Sequence, residues 1–334
     1  MATNQRIFYA CQAVAIAPRG TTTIAGAHIV KGLQSVGMSS TFTLDQVFEM
    51  GQIAIYENIE EVADIEVTLE KVIDGFKLIY DLATNGLCKT SIVASSKERT
   101  DVYLAVFDDG TDNATGTPRT VCMNSGMYVS SVSYSYSIDG SATESVTMVG
   151  NDRFWNVTSG AIATAPTAIW GSVATGFENE APRSGVGRRV DVDMATSVLP
   201  AEVQLQKGDD PVNLSAALHM QSVSVSTDFG QENIQELGRF GPYHRYATFP
   251  VEVTAEFEVI ATSGDLVSVS GTHPNLSNNT ITIQDTAGTI RALGTKNTLS
   301  SVSYSGADTG GGNATVSYSY SNFNVLTVNG GAVS

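Results

Sequence analysis

A stretch of 24 residues occurs twice in this chain, and this repeat limits the possible folds more than any other feature. Residues 33–56 and 220–243 align without gaps at a spacing of 187 positions. Eight positions are identical: Gln34 and Gln221, Ser35 and Ser222, Val36 and Val223, Ser39 and Ser226, Phe42 and Phe229, Glu49 and Glu236, Gly51 and Gly238, and Tyr56 and Tyr243. We infer that one unit is present twice.

Two shorter matches indicate how long the repeated unit is. Residues 65–70, IEVTLE, match residues 251–256, VEVTAE, one position out of step with the first alignment. The pentapeptide SSVSY occurs at residues 130–134 and again at 300–304. The unit is therefore domain-sized, roughly 130 to 150 residues, and far longer than the repeats of solenoids and propellers.

Length and charge agree with two domains. A chain of 334 residues is long enough for about two hydrophobic cores. We predict a first domain over 1–155, a linker or extended arm over 156–189 and a second domain over 190–334. The 18 basic and 34 acidic residues give a net charge of −16, which disfavours electrostatic capture of nucleic acid. Charged residues make up only 16%, below the roughly 25% usual for soluble domains, which indicates β-structure partly covered by other subunits.

Alternating apolar and polar residues predict half-buried strands in both copies. The expected strands cover residues 7–17, 34–43, 65–73 and 99–107, and two hairpins pair 127–137 with 144–149 and 299–305 with 315–321. Apolar spacing predicts short helices over 44–50, ended by Gly51, and over 74–86. The second copy is expected to repeat the first helix before Gly238. The predicted fold class is mainly β, with two tandem related β-sandwich or barrel domains, each with a short flanking helix.

Residues that usually carry catalysis or bind metals are scattered. The three cysteines, Cys11, Cys88 and Cys122, are far apart, so we predict buried reduced thiols rather than disulfides or a zinc site. The four histidines are His28, His219, His244 and His273, and none has metal-ligand spacing. The glycine-rich segment 306–313 lies between two strands, which predicts a hairpin tip rather than a phosphate-binding loop. We predict no catalytic, cofactor-binding or metal site, and no enzyme activity.

Four charged clusters have alternative interpretations. Calcium could bind the carboxylates of Asp108, Asp109 and Asp112, or those of Asp191 and Asp193, but EF-hand spacing is absent, which favours turns and a solvated strand face. Glu57, Glu60 and Glu61 correspond to His244, Ala247 and Thr248 in the second copy. We therefore interpret them as a solvated or lumen-facing acidic loop rather than as paired catalytic carboxylates. Arg183, Arg188 and Arg189 are expected to pair with acidic surface on a neighbouring subunit.

No targeting or membrane segment is predicted. Gln12 interrupts the short apolar run after Arg6, and Pro18 ends it, which is atypical of a signal peptide. No apolar run approaches the 18 residues of a membrane span. We expect a protein made in the cytoplasm.

Parts of the chain resemble the tail tube proteins of long-tailed bacteriophages. The similar segments are residues 228–243 and 249–260, the hairpin of residues 299–320 and the N-terminal residues 1–18, MATNQRIFYACQAVAIAP. The resemblance implies that β domains assemble into rings, six domains to a ring, and that inner strands line the lumen. Three copies of a two-domain chain would supply six domains, so we expect a trimeric ring with pseudo-sixfold symmetry, stacked into a tube by heterologous contacts.

The resemblance also implies a location and partners. They are the virion tail, assembled in the host cytoplasm, and the tape-measure, terminator, baseplate or tip, and sheath proteins. The acidic balance of the chain suggests a lumen that repels phosphate and lets double-stranded DNA pass without binding. The divergent segments 53–61 and 240–248 are expected to contact the rings above and below.

Other functions fit parts of the pattern. Tyrosines and serines on the hairpins could bind a glycan or receptor, as in a phage adhesin or glycan-binding protein, although such stripes are commonly cross-strand packing. A capsid-decoration protein would form compact oligomers instead of tubes. A hydrolase would need a carboxylate pair in a pocket.

Overall fold

A computed structural model of the chain describes residues 6–21, 23–108, 114, 117–156, 170, 183–205, 219–262, 264–269, 276–309 and 311–330. The fold is mainly β, as predicted. The strands are β1 (Gln12–Pro18), β2 (Leu33–Thr41), β3 (Leu44–Phe48), β4 (Ile55–Glu60), β5 (Asp64–Val72), β6 (Thr100–Val106), β7 (Thr120–Ser137), β8 (Thr143–Gly150), β9 (Asp152–Asn156), β10 (Met220–Asp228), β11 (Gln231–Ile234), β12 (His244–Ala247), β13 (Glu252–Ile260), β14 (Thr282–Gln284), β15 (Ile290–Ala292), β16 (Thr298–Ser305), β17 (Thr315–Phe323) and β18 (Thr327–Asn329). Short α-helices are α1 (Ile79–Ala83), α2 (Ile92–Ser95) and α3 (Ala201–Leu205).

Both predicted hairpins are confirmed, since β7 pairs with β8 and β16 pairs with β17. The predicted helix within 74–86 is α1, and Gly86 follows it with a φ of +82°, a left-handed conformation that glycine adopts readily. Among the described residues, the helices do not occupy equivalent positions in the two copies. α1 and α2 follow β5, whereas α3 precedes β10.

The helix predicted over residues 44–50 is wrong. These residues contain β3, which pairs with β4, and the second copy departs from the prediction in the same way because β11 pairs with β12. Gly51 and Gly238, at φ values of +104° and +84°, lie in the connections of these hairpins. The acidic loop predicted at 57–61 falls largely within β4. Three apolar residues in so short a segment fit helical and extended spacing alike, and the cross-strand hydrogen bonds favour the strand.

The largest sheet contains both copies of the repeat side by side. Its strand order is β16-β17-β13-β10-β7-β8-β5-β2. We call β2, β5, β7 and β8 unit one, and β10, β13, β16 and β17 unit two. Within unit one the order is β7-β8-β5-β2, and within unit two the corresponding strands follow the order β16-β17-β13-β10. The units are thus joined head to tail, with β10 of unit two beside β7 of unit one.

The two units share their strand registers as well as their strand order. A bulge lies between Leu33 and Ser35 in β2 and between Met220 and Ser222 in β10. Beyond it Ser35 pairs with Glu70 and Ser222 pairs with Glu258, and each serine hydroxyl donates to its glutamate over 3.3 Å. The equivalent glutamates are therefore 188 positions apart (258 − 70). The match of IEVTLE to VEVTAE aligns these strands two residues out of their structural register.

The second pair of equivalent strands carries another shared bulge. It lies between Val129 and Ser131 in β7 and between Leu299 and Ser301 in β16. These positions differ by 170 in both cases (299 − 129 and 301 − 131). Since bulges set the register of a strand pair, the repeat is an architectural duplication as well as a sequence one.

One hydrophobic core runs beneath both units. Buried residues of one contiguous cluster come from both, including Val67 and Met148 of unit one and Val253 and Phe257 of unit two. A smaller cluster lies between β1, β6 and the first half of β7. A third layer is the sheet β14-β15-β18. The linker predicted over 156–189 lies mostly outside the described residues, and the domain boundaries stay a prediction.

Candidate functional surface

One face of the large sheet is lined by hydroxyl and carboxylate side chains. Alternate residues of its strands point to this face, and the cross-strand pairs connect them into rows. One such row pairs Ser135 with Ser224, Ser224 with Glu256, and Glu256 with Ser319. We call this surface the serine face. Its hydroxyl-bearing residues include Ser35, Ser39, Thr68, Ser131, Ser133, Ser135, Ser137, Ser145, Thr147, Ser222, Ser224, Ser226, Thr254, Ser301, Ser303, Ser317, Ser319 and Ser321.

The charged side chains that the eight strands themselves place on the serine face are negative. Glu66 and Glu70 project from β5, Asp228 from β10, and Glu252, Glu256 and Glu258 from β13. The eight strands contain one basic residue, Lys71. Its side chain is fully buried on the opposite face, where its ammonium group lies 3.1 Å from a carboxylate oxygen of Asp74. The serine face therefore carries no cation of its own strands.

Unit two is anchored to unit one by an aromatic side chain in addition to the β10–β7 strand pair. Phe229 follows β10 directly and is 1% exposed. Its backbone N–H donates to the carbonyl oxygen of Ser130, the bulge residue of β7, over 2.7 Å. Its ring centroid lies 6.2 Å from that of Tyr80 in α1. Phe229 thus packs into the interior of unit one.

The β11–β12 hairpin also contacts unit one. The Arg245 guanidinium lies 2.7 Å from a carboxylate oxygen of Asp64 and donates to the Asn151 side chain over 3.3 Å. The His244 ring lies within 3.1 Å of the Tyr128 hydroxyl. Arg245 is buried, so this hairpin covers the end of unit one. The strand pair, Phe229 and this hairpin are together called the junction.

A buried ion pair lies beside the junction. The Arg291 guanidinium is 3.0 Å from a carboxylate oxygen of Asp285, and the same oxygen accepts a hydrogen bond from the Tyr136 hydroxyl at 3.0 Å. The guanidinium also lies 4.5 Å and 5.1 Å from the ring centroids of Tyr134 and Tyr136. Asp285 and Arg291 belong to the second half of the chain and the tyrosines to the first. This contact holds the two halves in one orientation.

The outer strands of the large sheet are β2 and β16. In the described part of the chain β2 pairs with β5 alone, and β16 pairs with β17 alone. Neither strand contains a charged residue or a proline, the devices by which proteins protect sheet edges from pairing. Tyr304 of β16 is 52% exposed, whereas its equivalent Tyr134 at the junction is 1% exposed. Both edges are therefore suited to pairing with another strand.

The β3–β4 hairpin, next to the β2 edge, exposes many apolar side chains. Every residue of β3 and β4 is exposed. The large apolar side chains of this hairpin and its connection are Leu44, Val47, Phe48, Met50, Ile53, Ile55, Tyr56 and Ile59. Phe42, which corresponds to the buried Phe229, is 70% exposed. Exposed apolar patches of this kind mark interaction surfaces.

The histidines singled out in the sequence lie apart. His28 accepts a hydrogen bond from the backbone N–H of Ala25 at 3.1 Å, and the His244 ring stacks on Tyr246 at a centroid distance of 4.4 Å. His273 lies outside the described residues. Across the described ranges, no group of three or more His, Cys, Asp or Glu side chains could hold a metal.

The acidic clusters are placed separately as well. Asp191 accepts a hydrogen bond from the backbone N–H of Arg188 at 2.6 Å, and Asp193 accepts from those of Ala195 and Thr196 at 3.0 Å and 3.2 Å. These two carboxylates lie in turns. Asp109 and Asp112 lie outside the described residues.

In the basic cluster, the side chain of Arg183 contacts an aromatic ring of the same chain. The Arg183 guanidinium lies 5.1 Å from the Phe76 ring centroid, while Arg188 and Arg189 are exposed. Pairing of this cluster with a neighbouring subunit stays a prediction.

The three cysteines are buried and free, as predicted. Burial raises the pKa of the Cys122 thiol to about 11, although the nearby charge of Arg153 acts in the opposite direction. The thiolate, which is the reactive form, is therefore scarce at neutral pH. Within the described ranges, none of the helices has the length and apolar character needed to cross a membrane.

Sequence reasoning missed the serine face and the two edges as functional features. The signal was present in the alternation of serine with apolar residues in SSVSYSYS, QSVSVS and VSYSYS. Alternation shows that one face is polar, but it does not reveal which strands are neighbours.

Known proteins similar to this chain are found among solved structures. No family model matches the chain, and no curated protein matches it. A solved chain from an extracellular contractile injection system, the PVC sheath-tube complex in its extended state, is 12% identical with a TM-score of 0.34, and the alignment covers 47% of this chain and 95% of that one. The tube-terminating cap of the anti-feeding prophage is 13% identical with a TM-score of 0.34, covering 47% and 95%. The baseplate of the same particle is 13% identical with a TM-score of 0.32, covering 48% and 100%. Alignments with scores this low carry no argument about this chain.

Proposed function

We propose that this chain is the building block of a tube, and that the tube is the tail tube of a long-tailed bacteriophage. The observation that carries the proposal is the head-to-tail fusion of two equivalent units. Their join pairs β10 with β7, and the equivalents of these two strands, β2 and β16, are the outer strands at opposite ends of the same sheet. A sheet with two different, complementary edges can form heterologous contacts, and these give a ring where the rotation between successive copies closes.

Three copies complete such a ring in this proposal. Each chain contributes the eight strands of units one and two, and each ring has six equivalent positions filled by two kinds of unit. The domains are those expected from the sequence, 1–155 and 190–334. Rings stack through the hairpins next to the sheet, and the sequence resemblance to tail tube proteins supports this arrangement. The partners are then other tail proteins: tape measure, terminator, baseplate or tip, and sheath. The location is the virion tail.

The serine face lines the lumen in this proposal. The carboxylates of Glu66, Glu70, Glu256 and Glu258 repel the phosphates of double-stranded DNA. The other polar side chains of these strands on this face are mainly short hydroxyls, and none of them is basic, so they do not retain the DNA. DNA then passes without binding.

Electron microscopy of the purified protein, combined with mass measurement, tests the proposal. We expect rings with sixfold appearance that contain three chains and stack into tubes. Rings of six full chains, or compact oligomers that never stack, would overturn it. Compact oligomers with saccharide affinity would point instead to an adhesin, decoration or glycan-binding protein.

A further inference from the structure

The junction inside the chain shows how one unit binds another. β10 and β7 pair in antiparallel register, with Ser226 opposite Ser133 and Val225 opposite Tyr134. Phe229, just beyond β10, is held by the bulge carbonyl of Ser130 and is buried against unit one. These contacts are all made by strands and bulges that have equivalents elsewhere in the chain.

We propose that β2 of one copy pairs with β16 of the next copy in the register of the junction, and that Phe42 becomes buried there as Phe229 is. The inference rests on the proposed function, in which a second copy of the chain is the partner. Subtracting 187 from a residue number in β10 gives the equivalent residue in β2, and adding 170 to a residue number in β7 gives the equivalent residue in β16. Ser39 is then opposite Ser303 of the next copy (226 − 187 and 133 + 170), and Met38 is opposite Tyr304.

The paired side chains match in chemistry on both faces of the sheet. Ser39 and Ser303 are the same residue types as Ser226 and Ser133, and they extend the serine face across the contact. On the other face, Met38 covers Tyr304 as Val225 covers Tyr134. Tyr304 is half exposed while Tyr134 is buried. Pairing therefore removes apolar surface that the single chain leaves in water.

The β3–β4 hairpin can make contacts with the next copy that correspond to those of the β11–β12 hairpin at the junction. The β3–β4 hairpin has the pairing of β11–β12, since Gln46 opposite Asn58 corresponds to Asn233 opposite Arg245. Asn58 therefore takes the place of Arg245, and Glu252 of the next copy takes the place of its partner Asp64. An asparagine amide can donate to that carboxylate. The receiving unit exposes Phe323 and Val325 near this site, and the hairpin exposes apolar residues toward them.

The bulge residue supplies a further point of agreement. Ser130, which binds the backbone N–H of Phe229, corresponds to Ser300, the bulge residue of β16. The same geometry sets the Phe42 N–H against the carbonyl oxygen of Ser300. Phe42 and Phe229 are identical residues within an otherwise divergent segment.

Cysteine cross-linking tests the register. A chain with Ser39→Cys is mixed with a chain with Ser303→Cys under oxidising conditions, and we expect a disulfide-linked pair of chains. Antiparallel neighbours have Cα separations of about 4.5–5.5 Å, within the range that a disulfide bridges. The native cysteines are all buried and do not compete. A single chain with Ser226→Cys and Ser133→Cys is the positive control, because that pair is present within the chain.

Two mismatched pairs serve as negative controls. Ser39→Cys with Ser305→Cys is displaced by two residues, about 7 Å along the strand, and Ser40→Cys with Ser303→Cys points to opposite faces. We expect little cross-linking from either. Equal cross-linking by the matched and displaced pairs, or none by the matched pair while the positive control reacts, would overturn the inference.

Phe42→Ala tests the anchor. Because Phe42 is exposed in the single chain, we expect the Phe42→Ala chain to unfold at the same temperature as the native chain. The protein concentration that it needs for assembly should rise about tenfold or more. Phe154→Ala, an exposed aromatic outside both edges, should leave assembly unchanged. Assembly by Phe42→Ala at the normal concentration would contradict the proposed anchor.

The outcomes separate this inference from the proposed function. Normal tubes without the Ser39–Ser303 cross-link would reject the register and retain the tube. Efficient cross-linking in oligomers that never stack would support the register and reject the tube.

Discussion

Glu144 is a buried carboxylate that attaches helix α1 to the large sheet. It lies on β8 facing the core and is fully buried. Its oxygens accept hydrogen bonds from the backbone N–H groups of Ile79 and Tyr80, at 2.6 Å and 3.1 Å, and from the Tyr134 hydroxyl at 3.0 Å. It thereby fixes the first turn of α1 onto the large sheet. Burial raises the pKa of Glu144, while the charge of Lys71 and these hydrogen bonds oppose the rise.

The raised pKa of Glu144 predicts a loss of stability with rising pH. In the unfolded chain a glutamate titrates near pH 4.3, so its contribution to stability is complete below that pH and is lost as the pH rises through the higher native pKa. Glu144→Gln should remove this part of the pH dependence because an amide does not titrate. Chemical denaturation at several pH values measures it, with Glu66→Gln on the exposed face as the control. Parallel pH profiles for the native chain and Glu144→Gln would contradict the prediction.

At the scale of elements, the sequence predicted the long hairpins correctly but did not distinguish a short strand from a short helix. The hairpins β7–β8 and β16–β17 were predictable because tyrosine and serine alternate over many residues and turn residues separate the strands. β3 was not, because Leu44, Val47 and Phe48 suit a helix equally well and the deciding partner, β4, lies across a turn. The join of β10 to β7 was also beyond the sequence, since strands so far apart in the chain carry no local signal of their pairing.

The two equivalent hairpins allow an exchange experiment. Segments 53–61 and 240–248 have equal length, and β4 and β12 share the same pairing, so either hairpin can accept the other's segment without a change of register. We propose that these segments contact different rings. Replacing 53–61 with the sequence of 240–248 puts an arginine at position 58, where it can pair with Glu252 of the next copy as Arg245 pairs with Asp64. Single rings should therefore stay intact, while tubes should be shortened or abolished in electron micrographs. A graft of 53–61 onto itself through the same cloning steps is the control, and tubes of normal length from the exchanged chain would reject the assignment.

Across the whole molecule, charge is sorted between the two faces of the large sheet. The basic residue of the eight strands in units one and two, Lys71, is buried with Asp74, and the carboxylates of the serine face point to the other side. The composition showed that acidic residues are in excess. It could not show on which face of the sheet they lie, because that depends on which residues of each strand face the core. Only the strand registers establish that the glutamates of β5 and β13 share one surface.

In the proposed lumen, reversing these charges should convert a surface that repels DNA into one that binds it. Changing Glu66, Glu70, Glu256 and Glu258 to lysine alters the net charge from −16 by four changes of two units each, to −8. We expect assembled particles of this variant to bind double-stranded DNA in a filter or mobility assay, with affinity that falls steeply as salt rises.

A second variant separates location from net charge. Lysine at Asp108, Asp139, Asp152 and Asp265, which are exposed positions outside the serine face and both hairpins, gives the same net charge. We expect it to bind DNA weakly. Equal binding by the two variants would show that the serine face has no special role.

The fusion of two units through β10 and β7 changes how assembly depends on concentration. In the proposed ring of three chains, three of the six contacts between units form during folding, within one molecule, and dilution cannot break them. Only three molecules must then meet instead of six, so the concentration of complete rings varies with the third power of free chain rather than the sixth. Rings built this way persist at dilutions where a ring of separate units would already have dissociated.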